Sequence, residues 1–515
     1  MRISGRNAVP ESFHPPYPFP YCGGIPHADP ASDRQIFSNL LDKINSGLMR
    51  ERQKDEEIVQ LKEEIGKLKR KVVSLSKNSS TSSKSPSSDI VKKGKKKNGG
   101  KKNKKGAQKG HRRHQRESFP AAEVDKWYLY ALDGCPECAG ELTLCPDKTR
   151  IIQQIEIKDA PVEISEYRAF GYKCSKCGKF HYAQIPDDVG NAGLCGPTFT
   201  ALIAYMKSAM HASFTTIRKF VRDVLKVKIS RGQLAKLIDK AGRSLAVPYD
   251  ELLKRIPLEQ KLNIDETGHK DNGDKFWTWC FKAELYTLFK IDKSRGSKVL
   301  VEILGEEFDG LIGCDYFSAY RKFMKDFNVS VQFCLAHLIR DIRFLVTLPD
   351  REEKEYGKKL LAQMRGIFKL IHDNDDKPRA LIYEGLKEIR ENFLRIGIGE
   401  VPLKYDGNGK IMKSKSRNLA DRFVKHGEAF FQFITTPEID PTNNIAEQAI
   451  RFVVIDRYVT QGTKSEKGRR NSERLWTVLA TCGIKDRSAF YFIRTAIQAY
   501  FNKASPPSLI DLDTG

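Results

Sequence analysis

Apolar residues recur at steps of three and four from Ile58 through Leu61, Ile65, Leu68 and Val72 to Leu75. That spacing is a heptad seam, with Lys, Glu and Arg between its rungs, and it predicts an amphipathic helix able to pair with a copy of itself. Gly66 interrupts the seam, and a lone helix docked on its own protein also fits, although nothing nearby offers a core. "IFSNLLDKI" extends the helical pattern upstream. From "SKNSSTSSKSPSS" onward hydrophobes almost vanish, the mark of a flexible tether. "RIIQQIEI" and "VEISEYRAFGYKC" alternate with period two and predict strands. Helical spacing returns over 197–256. "FTTIRKFVRDVLKVKISRGQLAKLIDKAGRSL" breaks near Lys228 and Ile229, and Ser230 is placed to cap a second helix. Arg231, Gln233 and Lys236 would sit early on that helix, the layout of a helix-turn-helix reader and equally of a plain helical hairpin.

The next stretch changes period again. "KLNIDETG" is apolar at alternate positions and is expected to end as a strand at Asp265. "KFWTWCFKA" and "LYTLFKID" follow as strands, "SKVLVEIL" as a helix, and "GLIGCDYFSAY" as a buried strand ending at Asp315. "VSVQFCLAHLIRDI" is a fifth strand running into a helix. Three strands, helix, strand, helix, strand is the order of the ribonuclease H-like fold, in which acids on the first and fourth strands lie side by side. About a hundred residues of helical periodicity then precede "NNIAEQAIR". The expected architecture is multidomain α+β. Residues 1–35 form a disordered N-terminus, 36–76 a coiled-coil helix, 77–118 a basic linker and 119–190 a zinc ribbon. Residues 191–258 form a helical, possible helix-turn-helix domain. A ribonuclease H-like mixed α/β catalytic domain covers 259–345 and 436–515, interrupted by a helical insertion at 346–435.

Charge sharpens this picture. The 515 residues carry a net charge of +24, and 92–116 alone hold ten Lys and three Arg. A solvated surface does not need that excess, whereas a polyphosphate partner does. Lys101, Lys102, Lys104, Lys105, Lys109, Arg112, Arg113 and Arg231 are the candidate DNA contacts, and phosphate contacts of this kind weaken steeply with salt. No run approaches the length of a membrane span, and the N-terminus has no apolar core of signal-peptide type. The expectation is a soluble cytoplasmic protein.

Eleven cysteines include two CxxC pairs, Cys135 with Cys138 and Cys174 with Cys177. Four thiolates on two such knuckles surround Zn²⁺ tetrahedrally and leave no open position, so a structural zinc is expected rather than a catalytic one.

A strand-end Asp is usually a cap or turn residue, so Asp265, Asp315 and Glu447 carry weight only together. Their motifs do so. "DETG", "SRG" with "VLVEILG", "CLAHLIRD" and "NNIAEQAIR", flanked by "GAQKGHR", the double-CxxC ribbon, "SRGQLAKLI" and "ERLWTVLATCGIKDRSAFYFI", resemble transposases of the insertion sequence 66 family over roughly residues 58–500. The resemblance implies a DDE transposase of bacterial, nucleoid-associated type. Asp265, Asp315 and Glu447 would be its catalytic acids, binding two Mg²⁺ ions for which Mn²⁺ can substitute. Cys334 and His337 form a CxxH on the fifth strand, and His337, Asn444 and Arg451 would support the site. Asn443 matches the same motif. Arg451 lies one turn from Glu447, where it could orient the carboxylate or hold a phosphate. This chain has Gln448 where the family usually has Arg.

Implied partners are double-stranded DNA, as element ends and target, a second copy in a dimer or larger synaptic assembly, and two small companion proteins of the same element. A catalytically silent DNA-binding derivative and a structure-selective nuclease are the rival readings. If the C-terminal part were an independent domain, Glu302 or Asp341 would have to complete the acidic set instead.

Overall fold

The computed structural model describes residues 30–75, 118–132, 136–139, 141, 151–155, 157, 161–173, 175–177, 180–436 and 439–511. The chain divides into two compact units, Met1–Ser76 and Lys77–Gly515. In the first, one helix, α1, spans Pro30–Leu75. At 1.5 Å per residue it is about 69 Å long. Its seam is open, with Ile58, Leu61, Ile65, Leu68, Val72 and Leu75 all exposed.

The first described residues of the second unit, from 118 on, hold little regular structure. The alternating stretch at 151–157 forms no strand among the described residues, and Ile151, Ile152, Ile155 and Ile157 stay exposed. Alternation specifies a strand only when a neighbouring edge and a core meet it. The second alternating stretch contributes only β1 (Gly171–Lys173), paired antiparallel with β2 (Phe180–Tyr182). Cys177 lies in the turn between them, and Cys138 and Cys177 are both exposed. Cys135 and Cys174, and with them the four-thiolate site, lie outside the described residues. So do Lys101, Lys102, Lys104, Lys105, Lys109, Arg112 and Arg113.

Five helices follow: α2 (Asp187–Ala192), α3 (Pro197–Ser208), α4 (Phe214–Asp223), α5 (Arg231–Ser244) and α6 (Ala246–Arg255). Ser230 caps α5, its hydroxyl accepting the Gln233 N–H at 3.1 Å. Ser213 caps α4 in the same way through Thr216.

Beyond them lies a five-stranded sheet. Its strands are β3 (Lys261–Asp271), β4 (Asp274–Lys282), β5 (Thr287–Asp292), β6 (Leu311–Cys314) and β7 (Ser330–Phe333), in the order β5-β4-β3-β6-β7. The first three form an antiparallel meander, while β6 pairs parallel to β3 and β7 parallel to β6. Helices α7 (Lys298–Leu304) and α8 (Ser318–Phe327) make the crossovers that parallel pairing requires. β3 does not stop at Asp265. Asn272 and Gly273, both at positive φ, form a two-residue turn that pairs the strand out to Asp271, which leaves Asp265 in mid-strand.

The helices α9 (Leu335–Val346), α10 (Arg351–His372), α11 (Tyr383–Gly399), α12 (Lys415–His426) and α13 (Gln432–Thr435) separate β7 from α14 (Asn444–Thr460). α15 (Glu466–Ile484) and α16 (Ala489–Phe501) follow. α14 packs on β3 and β4, and α15 on β5. Cys280, Phe289 and Ile291 from the sheet meet Ile450 and Val453 of α14 and Trp476 of α15 in one core. No helix among the described residues is long and apolar enough to cross a membrane.

Candidate active site

The acidic residues come from three elements that this topology brings together. In the pleat of β3, Asn263, Asp265 and Thr267 share one face, and Asp265 lies opposite Cys280, whose face α14 covers. β6 pairs directly with β3 and delivers Asp315 one residue past its end. There an Asp315 oxygen accepts the Phe317 N–H at 2.9 Å. Glu447 sits in the first turn of α14, half-buried.

The carboxyls feel one another. Burial pushes the Asp265 carboxyl well above the usual range, and the charges of Glu266, Asp315 and Glu447 add to the rise. Burial also raises Asp315; His337, the Phe317 N–H and Arg295 oppose the rise, and Glu447 adds to it. Carboxylates crowded in this way lack positive charge, and oxygen donors of this kind suit a hard divalent cation.

The start of α14 is tied to the sheet by Asn443, which is 1 % exposed. Its side-chain N–H donates to the Ile264 carbonyl at 2.8 Å, and its oxygen accepts from the Asn263 amide at 2.8 Å. Its backbone N–H donates to the Cys334 sulfur at 3.2 Å, and its carbonyl accepts the Glu447 N–H at 3.1 Å. Asn263 in turn needs Gly313 on β6, where a Cβ would lie 2.4 Å from its amide nitrogen. One asparagine pair, Asn443 buried and Asn263 half-buried, therefore sets the position of Glu447 against both strands that carry the aspartates. Asn444, by contrast, is exposed.

The CxxH lies at a junction rather than on β7. Cys334 is the N-cap of α9 and His337 is in its first turn. His337 Nδ1 is 3.5 Å from Glu447 Oε1, and Arg340 lies 3.7 Å from Glu447 Oε2. The guanidinium at the third acid is thus Arg340's. Arg451, one turn on from Glu447, is exposed. Glu302 pairs with Lys290 at 3.2 Å and Asp341 with Arg422 at 2.6 Å, so both alternative acids are engaged elsewhere.

A fourth acid was hidden within "DETG". Glu266 faces away from Asp265 and is pushed up to about 7, first by burial and then by Asp315. Arg295 donates to one of its oxygens at 2.7 and 3.0 Å, and the Tyr320 hydroxyl donates to the other. The Arg295 guanidinium also stacks on Phe317 at 3.8 Å and on Trp277 at 4.5 Å. It is thereby held on the far side of the sheet while its charge still reaches Asp315. Only the pairing of "DETG" with "SRG" could have pointed to this contact. Arg231 is exposed at the first position of α5.

Comparison with known proteins adds the following. A family model described as "Transposase IS66 family" matches residues 192–471, and a second, a "Family of unknown function (DUF6444)", matches residues 45–117. The chain is 21 % identical over 384 residues to the uncharacterized protein y4hP of Sinorhizobium fredii (strain NBRC 101917 / NGR234), covering 68 % of each chain.

Proposed function

The chain belongs to the IS66 transposase family, and from that premise we propose that it is a DDE-type DNA transposase. It binds the terminal inverted repeats of an insertion sequence, cleaves at their 3′ ends and joins those ends to target DNA. The observation that carries this reading is the placement of three acids from separate elements: Asp265 on β3, Asp315 just past the neighbouring β6, and Glu447 on α14, which packs on β3. The strand order β5-β4-β3-β6-β7, with the last two strands parallel to the centre, supports a ribonuclease H-like catalytic domain.

Asp265, Asp315 and Glu447 would hold two Mg²⁺ ions, or Mn²⁺ in their place. Such ions activate a water or a 3′-hydroxyl and stabilise charge on the phosphate. The protein's own groups do the rest. Asn443 holds the Glu447 helix in register, and Arg340 keeps positive charge beside that carboxylate. Arg295, anchored by Glu266 on the far side of the sheet, adds positive charge that reaches Asp315.

The basic linker, Arg231 on α5 and a Zn²⁺-loaded ribbon of Cys135, Cys138, Cys174 and Cys177 would hold the DNA. The four-thiolate donor set suits structural zinc. The open seam of α1 suits pairing of two copies, since two element ends must be held at once. Two small companion proteins of the same element would complete the machinery, at the nucleoid of a bacterial cytoplasm.

The test is a strand-transfer assay with labelled end DNA and Mg²⁺, comparing the normal protein with Asp265→Asn. Joining is expected to vanish while end binding persists. Equal joining by both proteins would contradict the assignment.

A further inference from the structure

Beside the acids lies a second donor set of different chemistry. One ligand atom each from Cys334, His337 and Glu447 lies within 4.8 Å of the others. His337 Nδ1 and Glu447 Oε1 are both buried, and neither makes a hydrogen bond. They face each other at 3.5 Å. Among the described residues six buried side-chain polar atoms have no hydrogen-bond partner, and only these two face each other, which calls for an explanation. Two ligands on one tetrahedral ion, each about 2.0–2.1 Å from it, stand about 3.4 Å apart. The observed gap is therefore the separation that a shared metal ion would give.

The sulfur completes the argument. Cys334 caps the start of α9, and its sulfur accepts the Asn443 N–H at 3.2 Å, which holds it beside the other two donors. Sulfur, imidazole and a single carboxylate oxygen are a poor set for Mg²⁺ and a good one for Zn²⁺ or Co²⁺.

We propose that Cys334, His337 and Glu447 form a site for one thiophilic divalent transition ion of the Zn²⁺ class, distinct in chemistry from the all-oxygen site of Asp265 and Asp315 but sharing Glu447 with it. On binding, the Cys334 sulfur loses its proton to solvent and forms a bond to the metal. The site stands on the placement of these three side chains. Only the sharing of Glu447 rests on the transposase reading.

The experiment is a Co²⁺ titration of the full chain, followed by thiolate-to-cobalt charge-transfer absorption and by the number of ions retained after dialysis. The CxxC thiols contribute equally to every sample. Cys334→Ser, His337→Ala and the near-isosteric Glu447→Gln are each expected to retain one fewer Co²⁺, or to weaken one binding step at least tenfold. Cys334→Ser should also lose part of the charge-transfer band. Glu447→Gln, whose side chain is partly open to solvent, guards against misfolding of the buried variants; because Glu447 also serves the all-oxygen site, only a loss shared with Cys334→Ser and His337→Ala supports the proposal. Identical Co²⁺ counts and superimposable spectra for the normal protein and Glu447→Gln would overturn the proposal. If strand joining fails while these cobalt differences appear, the function falls and the metal site stands.

Discussion

Asn443→Ala is the most informative single change at the candidate site. The asparagine is buried and makes two side-chain hydrogen bonds of 2.8 Å, one to a backbone carbonyl of β3 and one to Asn263. Truncation removes both, and the Asn263 amide, pressed against Gly313, loses the acceptor it was aimed at. A lost hydrogen bond costs about 1 kcal/mol, and a stranded buried donor about 1–3 kcal/mol. The expected total is roughly 2–4 kcal/mol, read as a fall in the midpoint of urea or thermal unfolding. Because the first turn of α14 is no longer fixed, strand joining should drop much further than end binding. Asn263→Ala should show the same pattern. The double variant should cost less than the sum, with a coupling of about 0.5–3 kcal/mol, since either change breaks the same bond. A loss under about 0.5 kcal/mol for Asn443→Ala, or strict additivity of the pair, would refute the claim that this bond places Glu447.

Arg295→Ala strands the buried Glu266 carboxylate, whose side chain is 1 % exposed. The Arg295 end is 37 % exposed, so the expected cost lies near the low end of the range for broken buried pairs, about 3 kcal/mol. Adding Glu266→Gln should recover part of it in an unfolding titration. Gly462→Ala should destabilise by about 2 kcal/mol or more, because φ is +86° there and a Cβ would lie 2.2 Å from the Lys270 carbonyl; a thermal melt checks this. Burial holds His269 down at about 4 against an ordinary 6.5. The unfolded chain therefore takes up a proton that the folded protein refuses, and stability falls as pH drops from about 6.5 towards 4, by about 3 kcal/mol in all. The difference in melting temperature between the normal protein and His269→Gln, followed across that range, should shrink or reverse as the pH falls.

Much of the catalytic fold was legible because its strands are short and bounded by clear breaks. The alternation of "KLNIDETG" and the buried run "GLIGC" placed Asp265 and Asp315 on strands, and the order of the elements made those strands neighbours. Ser230 announced α5 through its cap. Glu447 was different: no periodicity links it to the aspartates, and only the resemblance of "NNIAEQAIR" pointed to it. That Arg340 is the arginine beside it was not legible, for a related reason. A four-residue step says which side chains share a helix face, but not which way that face turns. Here it turns Glu447 towards α9 and Arg340, and leaves Arg451 exposed. The asparagine clamp was invisible because it depends on the register of β3 against β6 and on α14 arriving above them. The strand expected at 151–157 failed for the opposite reason, since a local pattern cannot supply the partner that a sheet needs.

The helices between β7 and α14 also act as a delay line. About 130 residues separate Asp315 from Glu447, so at ~5–20 residues per second a ribosome needs roughly 7–26 s to travel from one to the other. Throughout that interval the nascent chain owns two acids and no third. On the proposed reading, a product truncated before α14 should bind DNA without cleaving or joining it.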